Sequence, residues 1–269
     1  MPLSKIGDIH IYYETHGRGD PLLLIMGYGS NSGHWHAILD KLATQRRVII
    51  FDNRGTGRSD KPDIPYTAQM LVGDVIGMLD NLDINKTDVF GVSMGGMIAQ
   101  ELALSYPERI NALVLGCTSC GGSHAVPSSK EAIEFLFNVE INKLSIEERA
   151  LATIPWLWNP DFTEKHPEAV KQYVAVTSEY PTPPYAYTCQ ANFIITFTSY
   201  DRLPALKAHT LVICGSKDRL ISPENSRILA SRIPGAELAI IENGGHGFIT
   251  DSAEQASHII LDFLKKHPL

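Results

Sequence analysis

Short apolar runs alternate with amphipathic stretches along the first half of the chain, and this alternation constrains the fold most. The runs "PLLLIM", "RRVIIFD", "KTDVFGVS" and "NALVLGC" are strand-length and rich in Val, Ile and Leu. Continuous apolar strands of this kind are buried on both faces of a sheet. Between them, "HWHAILDKLATQ" is helix-like, and "TAQMLVGDVIGMLDNLD" sets Met70, Leu71, Val75, Met78, Leu79 and Leu82 along one helical face. "MGGMIAQELALSYPERI" is a further helix, stopping near Pro107. Preceded by a hairpin arm at Lys5 to Thr15, the pattern predicts an α/β fold, a mostly parallel sheet with helices on both faces.

The texture changes between Gly121 and Asp201. Here the segments are helix-like and rich in aromatics, and Ser128–Glu131 and Ser145–Glu148 both fit the S-x-x-E capping box. "YPTPPYAY" has to break any helix. Strand-like runs then resume in "HTLVICGSKD" and "AELAIIENGGHG", with a helix start at Ser222-Pro223. The last helix, within Asp251 to His267, carries Ile259, Ile260, Phe263 and Leu264 on one side. The expected organisation is a core of residues 1–120 and 201–269, with a helical cap of residues 121–200 inserted after the sixth strand.

Composition narrows the function classes. The 269 residues are 44% hydrophobic, enough for a sizeable core, and the net charge of −7 disfavours nucleic acid and anionic membranes as partners. No run of 18 apolar residues exists, and "MPLSKIGDIHIYYETHG" lacks the apolar centre of a signal peptide, so a cytoplasmic location is expected. The four cysteines suggest no disulfide framework. Cys117 and Cys120 form a C-x-x-C at a strand end, without further ligands spaced for zinc, and read as small packing residues.

"GVSMGG", Gly91 to Gly96, joins a strand to a helix and fits G-x-S-x-G in the context that motif requires. Small neighbours permit a strained turn that lifts the Ser93 hydroxyl off the sheet. A serine hydroxyl is a weak nucleophile and needs a base, normally a histidine oriented by a carboxylate. Of ten histidines, most fall in the hairpin, the insertion, the last helix or the opposite end of the sheet; His34 and His36 read as the surface start of a helix. His246, in "NGGHG" after the last strand, can reach over the serine. Asp218 ends the preceding strand unit, which gives the order Ser93, Asp218, His246. Asp52 also ends a strand and is expected to bond turn amides. No carboxylate ends "ALVLGCTSC".

In "IMGYGS", "FDNRGTGRSDKP", "GVSMGGMIAQELALSYPERI", "LVICGSKDRLISPENS" and "NGGHGFITD", the chain resembles the α/β-hydrolase superfamily, in its cap-bearing esterase, lactonase and methyl-esterase group. The resemblance implies a Ser93–His246–Asp218 triad and an oxyanion hole made by the backbone N–H groups of Tyr28 and Met94. Met26 departs from the histidine usual there, so Asp52, Asn53 or Arg54 is expected to hold the loop instead. The implied activity is hydrolysis of a small carboxylic ester or lactone by a monomer or homodimer, with no metal or organic cofactor. Carbon–carbon bond hydrolysis and a ligand-binding receptor on the same fold are the alternatives; Ser93 argues against aspartate-nucleophile dehalogenases and epoxide hydrolases. Phe135, Trp156, Trp158, Tyr185 and Phe193 are candidates for an apolar pocket wall.

Overall fold

The computed structural model describes residues 2–137 and 144–269. Eight strands form one sheet: β1 (Leu3–Ile6), β2 (Ile9–His16), β3 (Pro21–Ile25), β4 (Arg47–Phe51), β5 (Thr87–Val92), β6 (Ile110–Gly116), β7 (His209–Gly215) and β8 (Glu237–Ile241). Their order across the sheet is β1-β2-β4-β3-β5-β6-β7-β8. The opening hairpin pairs antiparallel, and β2 runs antiparallel to β4; every later pairing is parallel. The parallel pairs need crossovers, which α1 (His36–Ala43), α2 (Ala68–Asn81) and α3 (Met94–Ser105) provide in the first half.

Alternation along the strands divides the core. Leu23, Ile25, Val89 and Leu113 face α2 and α3, joining Val75, Met78, Leu79, Ile98 and Leu102. Leu22, Leu24, Phe90 and Val114 face the other way, onto Ile38 and Leu42 of α1 and Ile260, Phe263 and Leu264 of the last helix. Each fully buried Leu, Ile or Val contributes roughly 1.5–3 kcal/mol relative to exposure, so one-residue register slips are strongly disfavoured. A buried, two-pronged ion pair, Arg54 to Asp74 at 2.5 Å on both prongs, ties the loop after β4 to α2.

Between β6 and β7 the chain leaves the sheet through α4 (Lys130–Phe137), α5 (Ile146–Leu157), α6 (Pro160–Lys165), α7 (Pro167–Glu179) and α8 (Pro184–Thr196). The two ends of this excursion meet at an antiparallel bridge between Gly121 and Thr198, beside a 2.9 Å bond from the Ser199 amide to the Cys120 carbonyl. Ala150, Ile154, Trp158 and Tyr173 form its own small core between α5 and α7. The capping box at Ser145–Glu148 is present. At α4, Ser129 rather than Ser128 accepts from the Ala132 amide; Ser128 instead donates to the Leu220 carbonyl. After β7 follow α9 (Pro223–Arg232), α10 (Phe248–Asp251) and α11 (Ala253–Lys266). No helix of the described residues is long and apolar enough to cross a membrane.

Candidate active site

Ser93 sits between β5 and α3 with φ 55° and ψ −123°, a conformation strained for a residue with a Cβ. The turn closes tightly: a side chain on Gly91 would run into the Gly95 carbonyl, and one on Gly95 into the Ile25 carbonyl. The sequence therefore needs glycine on both sides of the serine. Thr118 donates to the Ser93 carbonyl at 2.7 Å, and the Ser93 amide bonds to Gly116 at 2.9 Å, fixing the turn to the end of β6.

The loop after β3 lies directly against this turn. A Cβ at Gly27 would approach the Ser93 Cβ to 3.1 Å. Among the described residues, neither the Tyr28 nor the Met94 amide has a hydrogen-bond acceptor. With methionine at position 26, the loop is anchored by other side chains. Asn53 donates to the Met26 carbonyl at 2.9 Å, and Asp52 accepts from the Ser32 and Arg58 amides at 2.7 Å each. Gln190 of α8 accepts from the Gly29 amide at 2.8 Å while donating to the Arg54 carbonyl at 3.1 Å. Tyr28 turns its ring away, edge-on to Tyr187, with its hydroxyl donating to the Tyr187 carbonyl.

Asp218 and His246 lie in the loops after β7 and β8, where the strand ends bring them together. The His246 Nδ1 and an Asp218 carboxylate oxygen are 2.8 Å apart, with both side chains buried. The other carboxylate oxygen accepts from the Leu220 and Ile221 amides at 2.9 Å each, so the carboxylate is fixed in orientation. Burial alone disfavours the His246 imidazolium. The Asp218 charge, with help from Cys117, more than reverses this and raises the imidazole well above its ordinary value. The histidine loop is pinned from two sides: Gly245 donates to Asp251 at 2.8 Å, and Gly247 to the Leu157 carbonyl at 2.9 Å. Trp158 Nε1 donates back to the Gly247 carbonyl at 3.3 Å.

Ser93 and His246 line one cavity of about 440 Å³, roofed by the inserted helices. No Ser93–His246 hydrogen bond is formed in this structure; such bonds commonly tighten only when substrate is bound. The roof departs from expectation in detail. Phe135 and Trp158 line the cavity, whereas Trp156 stacks on Phe135, Tyr185 bonds to the Lys61 carbonyl, and Phe193 is buried in the core. His34 is not on the surface: Tyr173 and Thr177 of α7 cover it, burial holds its value down at about 4, and both it and His36 border the cavity. Cys117, read from sequence as packing, is also a wall residue, and its sulfur lies within 4.8 Å of ligand atoms on Asp218 and His246. Its position at the end of β6 was the available signal; for Gln190 no local signal existed.

Known proteins share this framework. The poly(3-hydroxyalkanoate) depolymerase of Ectopseudomonas oleovorans is 32% identical over 91% of this chain and 84% of its own. A provisionally named carbamate hydrolase, RutD, of Azorhizobium caulinodans is 29% identical over 98% of both chains. Among solved structures, the enol-lactonase of Burkholderia xenovorans superposes with a TM-score of 0.87 at 26% identity, covering 98% of this chain and 100% of that one. The profile of the alpha/beta hydrolase fold matches residues 20–253, and the chain belongs to that family.

Proposed function

We propose that the protein is a serine hydrolase of small carboxylic esters that works through an acyl-enzyme. The observation that carries this reading is a strained serine, Ser93, sharing one cavity with a histidine, His246, that a buried carboxylate holds in place. Ser93 Oγ attacks the ester carbonyl while His246 Nε2 takes its proton. Asp218 holds the imidazole through Nδ1 and stabilises the imidazolium. The amides of Tyr28 and Met94 donate to the oxyanion of the tetrahedral intermediate, a role worth about 100- to 1,000-fold in rate per donor. His246 then protonates the departing alcohol, and water enters by the same route to release the acid and restore Ser93. Residues 121–200 act as the cap over the core of 1–120 and 201–269, and the apolar cavity wall takes the acyl or alcohol portion.

A cyclic ester is the second reading, favoured by the likeness to the enol-lactonase. The chemistry at Ser93 is the same; only the leaving alcohol stays attached. Rapid-mix assays with p-nitrophenyl acetate and butyrate, beside a panel of lactones, test both. Turnover that is abolished in Ser93→Ala supports the enzyme. Tight binding with no turnover would identify a receptor and sink the proposal.

A further inference from the structure

The wall of the cavity carries one permanently charged side chain among the described lining residues. None of them is Asp, Glu or Lys, and burial pushes the imidazoles of His34 and His36 toward their neutral forms. Arg149 is the exception. α5 presents Arg149, Ala150, Thr153 and Leu157 to the cavity, positions that share one helical face.

Arg149, half-buried as a whole, differs from Arg46, Arg54 and Arg58, buried or half-buried on the sheet side. Arg46 meets Asp88, Arg54 meets Asp74, and Arg58 meets Asp52 and Glu14. Among the described residues no carboxylate lies within ion-pair distance of Arg149, and its Nε is buried with no hydrogen-bond partner. The adjacent Glu147 and Glu148 are exposed, and Glu148 is engaged with Ser145. The guanidinium carbon stands 5.5 Å from the centroid of the Tyr187 ring, itself a wall residue. Leaving a guanidinium donor buried without an acceptor is costly, and an anion arriving in the cavity removes that cost. The planar fork of donors suits a carboxylate, which it can bind through two bonds.

We propose that Arg149 receives a carboxylate of the substrate, so that the favoured esters or lactones carry a free carboxylate away from the scissile bond. This rests on the ester-hydrolase reading above. The test compares p-nitrophenyl hydrogen adipate and suberate with the p-nitrophenyl esters of hexanoate and octanoate, matched in chain length. The wild type is expected to prefer the half-esters. In Arg149→Met the ratio of kcat/KM for half-ester over neutral ester falls about 10- to 100-fold, chiefly through KM, and Arg149→Lys recovers part of it. Thermal melts of both variants confirm that they fold.

Calorimetric titration with adipate in a Ser93→Ala background separates this proposal from the parent reading. Binding that disappears on adding Arg149→Met supports the anion site even if neither ester is turned over, in which case only the ester-hydrolase reading fails. An unchanged ratio between the two ester series, with Ser93-dependent turnover intact, overturns the Arg149 proposal alone. No adipate binding to the Ser93→Ala protein also overturns it.

Discussion

The loops at the ends of the strands and the helices of the insertion face each other across one cavity, yet they are built differently. On the sheet side, position is set by the backbone: the strained turn at Ser93, the glycine contact at Gly27, and the paired amides that hold Asp218. On the insertion side, position is set by side-chain packing, with a small core between α5 and α7 and an isoleucine, Ile195, left 71% exposed. The two are nevertheless joined. Gln190 reaches from α8 to the Gly29 amide, and the end of α5 bonds to both polar groups of Gly247 beside His246. The contrast assigns the proposed reaction to the sheet side and the choice of substrate to the insertion, with Gln190 and Trp158 belonging to both.

The largest effect expected is on the sheet side. Ser93→Ala should lower ester turnover by about 10⁴- to 10⁶-fold while leaving the melting temperature close to wild type. Asp218→Asn comes next, at roughly 10³- to 10⁴-fold in kcat. The same variant also changes the dependence on pH. His246 has to be neutral to accept a proton, so activity rises with pH as the imidazolium is lost. Because Asp218 raises that group, the rise in wild-type kcat/KM should lie above 6.5, the ordinary imidazole value, and move to lower pH in Asp218→Asn. A profile that stays in place would break the assignment of Asp218.

The side chains that anchor the loop after β3 should show a smaller and different signature. Gln190→Leu and Asn53→Ala each loosen the loop that carries Tyr28, and are expected to cost about 10- to 100-fold in kcat with little change in KM, less than removing an oxyanion donor outright. If Gln190→Leu instead altered only KM, the Gln190 bridge would have no hand in the chemistry, and the contact of α5 with Gly247 would be the remaining link of the two. The smallest effects belong to the roof. Thr153→Val and Leu157→Ala should shift the preferred acyl chain length by about 3- to 10-fold in kcat/KM, measured across a series of p-nitrophenyl esters.

The same division governs what the sequence could reveal. Ser93, Asp218 and His246 stand at strand ends, where apolar runs and glycines write the backbone into the sequence, and the structure brings Asp218 and His246 to 2.8 Å. Without a histidine at position 26, the strand end at Asp52, Asn53 and Arg54 is the neighbour the sequence offers to hold the loop, and Asn53 makes the bond. The roof was less legible. An aromatic residue on an inserted helix says nothing about which side it turns to the cavity, so Trp156, Tyr185 and Phe193 pack elsewhere while His34 and Cys117 line the wall. Gln190 acts on a loop 161 positions away, and no local pattern marks a contact of that span.

Everything proposed for this site depends on the serine turn supplying the nucleophile. Rapid-quench mass spectrometry of the wild type with p-nitrophenyl butyrate, followed by peptide mapping, tests it most directly. A butyryl group is expected on the peptide containing Ser93, accumulating with the burst of p-nitrophenol and absent from Ser93→Ala. Turnover with the acyl group on another residue, or undiminished in Ser93→Ala, would contradict it.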